Sequence, residues 1–406
     1  MSVRGRRCGP RPEKGPPLTL LRRFTPVAHR FDHVIGRLSP RREVLVELRT
    51  PVYHAVLSPI ADALARKPHM NVWFTSEHPD RVRDLVPGER FLTHAEAEWR
   101  RFDVYINGDP WAPVRLRRCA RRVNFFHGVA GKYDLDNPKG LPLGFECYDR
   151  VGFINRDRMQ RYLGAGVVQP AQAKLVGYPK LDKLANQEIE VGRVKRRYAL
   201  DGRPTALYAP TYSEASSLHL AGTDIARTLD RAGFNVLIKL HDRSLDPDPR
   251  YNLGVDWRAR FTELIERSET GRVHFVETAD ASPLLAAADV MITDHSSIGF
   301  EFLVVDRPLI VFDAPDLPAA ARVNMEKVTL LRSAATVTRT ADETARAASS
   351  AVADPASQSA ARRRVAREMF FEPGTATGRA VHLILELLFP RIVSRTATDV
   401  EPEGTS

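Results

Sequence analysis

Short apolar runs, each closed by a polar or Gly/Pro break, alternate along the chain with stretches whose apolar residues recur at helical spacing. Runs of the first kind are typical of buried strands, and stretches of the second kind are typical of amphipathic helices. In the first half, the pattern predicts strands in EVLVELR, NVWFTSE, FDVYINGD, RRVNFFHG and RVGFINRD, and a helix in TPVYHAVLSPIADALAR. In the second half, it predicts strands in TALYAPTY, FNVLIKLH, RVHFVE, DVMITDHSS and PLIVFDAP, and helices in DIARTLDRAG and DWRARFTELIERSE. This alternation predicts an α/β protein with two parallel sheets.

A chain of 406 residues exceeds what one hydrophobic core usually serves, so two domains are expected. We place their junction in the charged segment 178–203, which contains the helix candidate EIEVGRVKRRYAL. The predicted organisation is a basic, disordered tail at 1–35, parallel α/β domains at 36–190 and 200–334, helices that brace the two domains at 335–390, and a frayed tail at 391–406.

The net charge of +10 and the pI near 9.7 indicate an anionic partner, and nucleic acid, anionic lipid headgroups and nucleotide substrates all qualify. Much of the excess lies in the Pro/Gly-rich tail, which carries Arg4, Arg6, Arg7, Arg11, Lys14, Arg22 and Arg23. Near anionic lipid such a tail could contribute about 1 kcal/mol per basic residue, and a solvated tail without a specific partner is the alternative. The tail lacks the interleaved aromatic residues of a stacking platform, so no specific nucleic-acid partner is predicted.

The composition also bears on the compartment. Hydrophobic residues make up 43% of the chain, yet no apolar run approaches the roughly 18 residues needed to span a bilayer. Cys8, Cys119 and Cys147 lie far apart without metal-ligand spacing, which suits a reducing compartment better than a disulfide framework. The N-terminal segment also lacks the continuous apolar core of a secretory signal. These features predict a cytoplasmic protein.

The segment ADVMITDHSSIGFEF has the layout of a strand that leads into a helix. Its polar positions are Thr293, Asp294, Ser296, Ser297 and Glu301. The first amides of a helix have no intrahelical partner and lie at the positive end of the macrodipole, and serine hydroxyls can add donors. The segment therefore predicts a phosphate site. An ordinary N-cap is the alternative, since Ser and Asp cap many helices.

Two histidines follow predicted strands in different halves of the chain. His127, in NFFHGVAGK, precedes Gly128, which permits close backbone approach, and Lys132, a mobile cation. His241, in VLIKLHD, follows Lys239. Ligands of open α/β sheets bind outside the carboxyl ends of the strands, where both histidines fall. A single histidine there is more often structural, but two that face one cleft indicate a site.

The motifs HGVAGK, GYPKLD, LYAPTY, IKLH and DVMITDHSSIGFEFLVVDRPLIVF, in this order, resemble those of the CDP-glycerol glycerophosphotransferases, which build poly(glycerol phosphate) and related teichoic-acid-type polymers. The resemblance runs from Asn124 to Arg379. It implies a GT-B-like fold, in which two Rossmann-like domains face each other across a cleft, with the acceptor side at 36–190 and the nucleotide donor at 200–334. The implied activity is transfer of glycerol phosphate, or a related polyol phosphate, from a CDP-linked donor to a hydroxyl of a membrane-associated saccharide or polymer, with release of CMP.

The resemblance also implies roles for the residues that match the motifs. His127 resembles the general base that takes the proton of the acceptor hydroxyl, and His241 resembles a histidine that stabilises charge on the donor pyrophosphate. The other matches are Thr211 and Thr293 near the donor, Ser296 and Ser297 for the diphosphate, Glu301 for hydroxyls of the ribose or glycerol, Arg379 for a phosphate, and Gly128, Lys132, Lys239 and Asp294 as further cleft residues.

The chain departs from the family's pattern in the pocket wall. Val129 stands where Thr is common, His295 where Tyr is usual, and Ser213 and Glu214 where an aromatic or basic continuation is common. None of these changes removes a proposed catalytic group. They leave open a different CDP-activated polyol, or a nucleotide sugar, as the donor.

The implied chemistry needs no cofactor. A positioned histidine contributes about a hundred- to ten-thousand-fold as general base, and each preorganised donor at a developing charge contributes about 3 to 4 kcal/mol. No obligatory metal is therefore predicted. Asp246 and Asp248, in a Pro-punctuated loop, are the remaining candidates for a divalent site.

Two other classes of function stay open. A glycosyltransferase or an epimerase-like enzyme that uses a nucleotide sugar could have the same two-domain scaffold. A non-enzymatic basic protein would bind nucleic acid or an anionic membrane through its tail, with strong salt dependence. For the favoured transferase, the implied acceptor is a lipid-linked saccharide or growing polymer, so peripheral attachment at the inner face of the cell membrane is expected.

Overall fold

The computed structural model describes residues 40–109, 113–140, 144–246 and 248–389, and both predicted tails lie outside the described residues. Within these ranges the strands form a sheet of seven and a sheet of six, and all their pairings are parallel. In chain order the strands are β1 (Arg42–Glu47), β2 (Met70–Thr75), β3 (Phe91–Leu92), β4 (Phe102–Asn107), β5 (Cys119–Phe125), β6 (Arg150–Phe153), β7 (Ala173–Leu175), β8 (Thr205–Tyr208), β9 (Asn235–Ile238), β10 (Val273–Phe275), β11 (Val290–Thr293), β12 (Leu309–Phe312) and β13 (Thr336–Thr338).

Helices follow most of the strands and cover the faces of the sheets. Across the described ranges they are α1 (Pro51–Ala65), α2 (Pro79–Val82), α3 (His94–Trp99), α4 (Arg156–Gly164), α5 (Asp182–Ala185), α6 (Val191–Arg197), α7 (Ser217–Arg231), α8 (Pro249–Asn252), α9 (Trp257–Glu266), α10 (Ser282–Ala287), α11 (Ser297–Phe302), α12 (Leu317–Ala320), α13 (Met325–Arg332), α14 (Ala341–Ala353), α15 (Ser359–Met369) and α16 (Ala376–Leu388). None of these helices has the length and the apolar composition that crossing a membrane requires.

Both sheets have the doubly wound strand order. The first runs β3-β2-β1-β4-β5-β6-β7, and the second runs β10-β9-β8-β11-β12-β13. The order reverses between β1 and β4 in the first sheet and between β8 and β11 in the second, and such reversal points are where open α/β sheets bind ligands. The predicted fold class, two Rossmann-like parallel-sheet domains, is confirmed.

The central strands are mostly apolar because helices cover both faces of each sheet. Val44, Leu45 and Val46 of β1 are at most 1% exposed. Leu207 of β8 and Phe300 of α11 belong to the same buried hydrophobic cluster as these β1 residues. One buried cluster therefore spans the two halves, and a second one lies within the second half.

The last described helix returns to the first sheet. α16 buries Ala380, Val381 and Ile384 at helical spacing, and it packs against α1 and β4. The guanidinium of Arg42, at the start of β1, lies 5.1 Å from the ring centroid of Phe389. The C-terminal segment thus contacts the N-terminal half directly.

The sequence pattern missed three short strands and lengthened one helix. β3, β7 and β13 each have three residues or fewer, too short to show a hydrophobic period. The helix predicted in EIEVGRVKRRYAL is only α6, and Ala199 beyond it has a φ of 45° in the left-handed region. The helix ends there because L residues adopt that conformation only singly.

Candidate active site

The predicted site residues follow strands at or beside the two reversal points. His127, Gly128 and Lys132 follow β5, Thr211 follows β8, Lys239 and His241 follow β9, Thr293 ends β11, Asp294, Ser296 and Ser297 connect β11 to α11 or begin it, Glu301 lies in α11, and Arg379 lies in α16. Hydrogen bonds join the loop after β5 to the loops after β8 and β11. The structure therefore brings these loops of the two halves together between the sheets.

His127 is fixed by a backbone carbonyl. Its Nδ1 lies 2.7 Å from the carbonyl oxygen of Gly108, and because a carbonyl oxygen only accepts, Nδ1 carries the proton. Burial lowers the pKa of His127, against the opposing effects of the Gly108 carbonyl and the Asp109 carboxylate. The imidazole is therefore neutral near pH 7, and its Nε2 carries a lone pair, as a general base requires.

His241 has the opposite tautomer. Its Nδ1 accepts the backbone N–H of Arg243 at 3.1 Å, so in the neutral ring the proton lies on Nε2. Burial, followed by the positive charges of Lys239 and Lys132, lowers the pKa of His241 well below its ordinary value. The ring of Tyr212 lies against the imidazole, with the centroids 4.5 Å apart. His241 is therefore a neutral N–H donor.

The loop after β5 is held by residues of the second half. Gly128 has a φ of 73°, which favours glycine. The Oγ of Ser297 accepts the backbone N–H groups of Val129 at 3.2 Å and Ala130 at 3.3 Å. His295 Nε2 donates to the carbonyl of Ala130 at 2.7 Å. Because a serine hydroxyl accepts two hydrogen bonds and donates one, Ser297 can still donate its proton while it anchors the loop.

Lys132 reaches across the cleft to a buried carboxylate network. Its Nζ donates to Oγ1 of Thr211, whose backbone N–H donates to Asp294 Oδ1 at 2.9 Å. Asp294 Oδ2 accepts from both the N–H and the hydroxyl of Ser217, at 3.0 and 2.9 Å. Burial lowers the pKa of Lys132 to about 8, although the charge of Asp294 opposes this. Asp294 thus joins the ends of β8 and β11 and holds a cation beside them.

The predicted hydroxyl groups at the end of β11 differ in their hydrogen bonds. Thr293 is fully buried, and its Oγ1 donates to the carbonyl of Ala209 at 2.7 Å. Ser296 is half-buried at the N-cap position of α11, and within the described residues its hydroxyl does not cap that helix. Ser296 is therefore better placed than Thr293 to bind a ligand.

Glu301 is paired with a buried lysine. Its Oε2 lies 2.6 Å from Nζ of Lys180, and both side chains are less than one-tenth exposed. Although burial opposes it, the Glu301 carboxylate raises the pKa of Lys180. Lys239 is similarly buried, and its Nζ donates to the carbonyl of Leu240 at 2.8 Å. The predicted hydroxyl contact of Glu301 can use Oε1 or the second lone pair of Oε2.

Arg379 is not joined to this cluster by any contact within the described residues. Its Nε donates to the carbonyl of Val176 at 2.8 Å, and its Nη2 donates to the carbonyl of Phe371 at 3.0 Å. Its Nη1 donates to Glu372 at 2.9 Å and to Thr375 at 2.6 Å. The guanidinium fastens the start of α16 to the end of β7, so binding a phosphate would require it to exchange these partners.

The two predicted divalent-site residues have protein partners. Asp246 Oδ2 lies 3.3 Å from a guanidinium nitrogen of Arg81, and its Oδ1 accepts the backbone N–H of Asp248 at 3.1 Å. In the part of the chain that the structure describes, no group of three or more His, Cys, Asp or Glu side chains is arranged to hold a metal ion.

Several polar residues near His127 and His241 were missed at the sequence level. The hydroxyl of Tyr53 lies 3.2 Å from His127 Nε2 and 3.2 Å from Asp109 Oδ2. Across the cleft, the hydroxyls of Tyr133 and Tyr212 are hydrogen-bonded to each other. Asp109 closes the predicted strand segment FDVYINGD, so the strand-end rule could have found it. The tyrosines lie in no comparable pattern.

These contacts define what the cleft can do chemically. It presents a lone pair on His127 Nε2, an N–H on His241 Nε2, the cation of Lys132 and the hydroxyls of Ser296 and Ser297. A base, a proton-bearing donor and a cation are the groups needed to activate a hydroxyl and to stabilise phosphate charge.

A family model and solved structures match the chain. The model of the CDP-glycerol:poly(glycerophosphate) glycerophosphotransferase family matches residues 167–386. No curated protein matches the chain.

Among solved structures, the wall teichoic acid polymerase TagF has a TM-score of 0.63 at 15% identity, over 93% of this chain and 100% of that chain. A histidine variant of TagF soaked with CDPG has a TM-score of 0.64 at 14% identity, over 93% and 100%. The UDP complex of MnaA from S. aureus has a TM-score of 0.54 at 12% identity, over 90% and 100%. At these identities the likeness shows a shared GT-B-type fold.

Proposed function

The chain belongs to the CDP-glycerol:poly(glycerophosphate) glycerophosphotransferase family, and we propose that it transfers glycerol phosphate from CDP-glycerol to a hydroxyl of a saccharide or polymer, with release of CMP. The proposal extends to the acceptor, which neither the family match nor the fold identifies. A lipid-linked acceptor at the inner face of the membrane fits the net charge of +10.

The main support for the proposal is that the two histidines have opposite tautomers. The reaction has to remove a proton from the acceptor hydroxyl and stabilise charge on the departing CMP. His127, anchored through Nδ1, offers the lone pair for the first task. His241, anchored at the other nitrogen, offers an N–H for the second task. Two strand-end histidines that serve only packing would not need this complementary arrangement.

In the proposed reaction, the acceptor oxygen attacks the β-phosphorus of CDP-glycerol. A new phosphorus–oxygen bond forms, and the bond between this phosphorus and the oxygen that bridges to the α-phosphate breaks. The acceptor proton passes to Nε2 of His127, and the electron pair of the broken bond leaves with CMP. The N–H of His241 stabilises the charge on the phosphates as it develops.

The donor phosphates are proposed to lie against Ser296, Ser297 and Lys132. The support is that Ser296 is half-buried without capping α11 by its side chain, that Ser297 has a proton left to donate, and that Lys132 supplies a cation at the same strand ends. Thr293 and Asp294 act indirectly in this arrangement, by holding the loops that present these groups.

The test is release of CMP from CDP-glycerol, with and without a membrane extract as source of acceptor. The wild-type protein is compared with His127→Ala, and circular dichroism checks that both are folded. We expect acceptor-dependent release that His127→Ala lacks. Equal release by a folded His127→Ala protein would overturn the assignment of the base.

The donor is tested separately by thermal-shift competition between CDP-glycerol and UDP-sugars. A ligand at one hundred times its dissociation constant stabilises the folded state by about 2.7 kcal/mol, which is readily measured. We expect stabilisation by CDP-glycerol and none by the UDP-sugars. The reverse result would favour a nucleotide-sugar enzyme on the same fold.

A further inference from the structure

Tyr53 contacts His127, and Asp109 contacts Tyr53, in an arrangement that the proposed reaction does not by itself require. Tyr53, near the start of α1, is 7% exposed, and Asp109, just beyond β4, is also 7% exposed. The Tyr53 hydroxyl lies 3.2 Å from Oδ2 of Asp109 and 3.2 Å from Nε2 of His127. A buried phenol therefore bridges a buried carboxylate and the nitrogen proposed as the base.

The phenol approaches the face of the imidazole. The ring centroids of Tyr53 and His127 are 4.3 Å apart, and the rings are tilted by 42°. A hydrogen bond along the Nε2 lone pair, which lies in the imidazole plane, would hold the two centroids farther apart. Tyr53 therefore packs over the ring and leaves the in-plane lone pair open for the acceptor hydroxyl.

Gly108 lies against the rings of both His127 and Tyr53. Its carbonyl accepts the Nδ1 proton of His127, and a Cβ built on it would lie 2.9 Å from two carbons of the Tyr53 ring. Real Cβ atoms do not approach other atoms so closely, so a side chain here would displace the phenol. The absence of a side chain at Gly108 lets Tyr53 lie against His127.

Asp109 fixes the hydroxyl end of Tyr53. Its Oδ2 is also 3.2 Å from Nη1 of Arg49, so the carboxylate is held in an ion pair. A carboxylate only accepts, so the phenol proton is directed at Asp109, and the phenol oxygen presents its lone pairs toward Nε2. This arrangement favours the imidazolium that forms when His127 takes a proton.

We propose that Tyr53 and Asp109 are positioning residues for His127: they hold the imidazole plane from one face and stabilise its protonated form, while the lone pair stays open to the acceptor. This inference rests on the proposed role of His127 as the general base. Tyr53 contacts Nε2 of His127 and Asp109 contacts Tyr53, and the proposal gives neither a contact with the donor or the acceptor, so both act through His127.

Other charged groups also face His127. Arg49 and Arg158 favour its neutral form, and Asp109 favours the protonated form. His241 lies close enough for the two imidazoles to influence each other's charge. Asp109 is thus the carboxylate whose removal should lower the pKa of His127.

The test compares Tyr53→Phe and Asp109→Asn with the control Tyr148→Phe. Tyr148 is also a buried tyrosine beside Asp109, and its hydroxyl donates to the Asp109 backbone carbonyl at 3.4 Å. Three quantities are measured: the NMR titration midpoint of His127 in the free protein, kcat for CMP release, and the dissociation constant of CDP-glycerol. The His127 signal is assigned by its loss in His127→Gln.

We expect Tyr53→Phe and Asp109→Asn to move the His127 titration to lower pH and to lower kcat by up to about 100-fold, with donor affinity unchanged. Tyr148→Phe should leave all three quantities unchanged. Gly108→Ala should act like Tyr53→Phe, because it displaces the same ring, and it provides a second route if Asp109→Asn does not fold.

Wild-type titration and kcat in both Tyr53→Phe and Asp109→Asn would overturn the inference, and so would equal effects in Tyr148→Phe. The NMR titration separates this inference from the proposed function. If the His127 midpoint moves in the variants but the wild-type protein releases no CMP from CDP-glycerol, the positioning contact stands and the proposed function fails.

Discussion

Both halves of the molecule carry a buried carboxylate beside the point where the sheet reverses its strand order, and the two carboxylates differ in their partners. Asp109, in the first half, accepts from the side chain of Tyr53, which lies over the proposed base. Asp294, in the second half, accepts from the backbone amides of Thr211 and Ser217 and from the Ser217 hydroxyl. The first carboxylate therefore orients a side chain, and the second shapes the loops themselves.

The difference shows that position at a strand end does not assign a role by itself. A carboxylate bound by backbone amides is part of the framework, because exchanging its partners would open the loop. A carboxylate bound by side chains can tune the protonation of a neighbouring group. A similar distinction separates His127, whose Nε2 contacts the side chain of Tyr53, from His295, whose Nε2 donates to a loop carbonyl.

The largest effects are expected from substituting the two cleft histidines by glutamine and by alanine. Glutamine can donate an N–H but cannot accept a proton at neutral pH. His127→Gln and His127→Ala should therefore both lower kcat by about 100- to 10,000-fold. His241→Gln should retain more activity than His241→Ala, because it preserves a donor. Steady-state CMP release measures all four variants.

The opposite result for the two glutamine variants would reverse the assigned roles of the histidines. If His127→Gln were substantially active and His241→Gln were not, the two histidines would have their roles exchanged. Circular dichroism spectra and melting temperatures equal to those of the wild-type protein are the control, since both histidines also make backbone hydrogen bonds.

Much of the fold was predictable because its central strands are buried on both faces and their sequences are mostly apolar. The segment DVMIT became β11, and the turn-like residues after it mark the strand end. The same logic located His127 and His241, since chemistry in open α/β sheets collects where strands end. The very short edge strands had no period to detect.

The partners of the site residues were not predictable, because side-chain packing between distant segments decides them. Tyr53 and His127 are 74 positions apart, and Ser297 and Val129 are 168 apart. No local pattern indicates that Ser297 anchors a loop of the other half. Nor does one indicate that Arg379 bonds to carbonyls at the end of β7 and before α16.

His295 predicts a pH dependence of stability. Burial lowers its pKa from the ordinary 6.5 to about 4, so the unfolded chain binds a proton in this range that the folded protein does not. Stability is therefore complete above pH 6.5 and is lost as the pH falls. Between pH 6.5 and about 5, the free energy of unfolding should fall by about 2 kcal/mol from this group. Urea unfolding followed by circular dichroism measures it.

His295→Gln is the matched variant for this slope. Glutamine keeps an N–H for the Ala130 carbonyl but does not titrate, so its unfolding free energy should depend less steeply on pH. The remaining slope includes contributions from the other histidines whose pKa values burial lowers: His54, His94, His127, His219, His241 and His274. An identical slope in His295→Gln and the wild-type protein would contradict the assignment.

Substituting each of the two adjacent serines should distinguish the residue that anchors the loop from the residue that binds the donor. Ser297→Ala leaves the amides of Val129 and Ala130 without their acceptor, which should cost about 1 to 3 kcal/mol of stability. Ser296→Ala should leave the melting temperature unchanged and weaken donor binding, because its side chain does not cap α11. Differential scanning calorimetry and isothermal titration with CDP-glycerol test the pair. Equal loss of stability in both variants would contradict the distinction.

The smallest expected effect, and the one that joins the two halves, concerns Lys132, which lies on the first half's loop and donates to Thr211 of the second half. Burial lowers the pKa of Lys132 to about 8, so its charge is present below that pH and is lost as the pH rises through it. Affinity for an anionic donor should then fall by up to about tenfold between pH 7 and 9. Isothermal titration with CDP-glycerol measures the change. Lys132→Arg, which stays charged, should show no such fall, whereas Lys132→Met should bind weakly at every pH. If Lys132→Arg loses affinity with pH as the wild-type protein does, the titrating group is a residue other than Lys132.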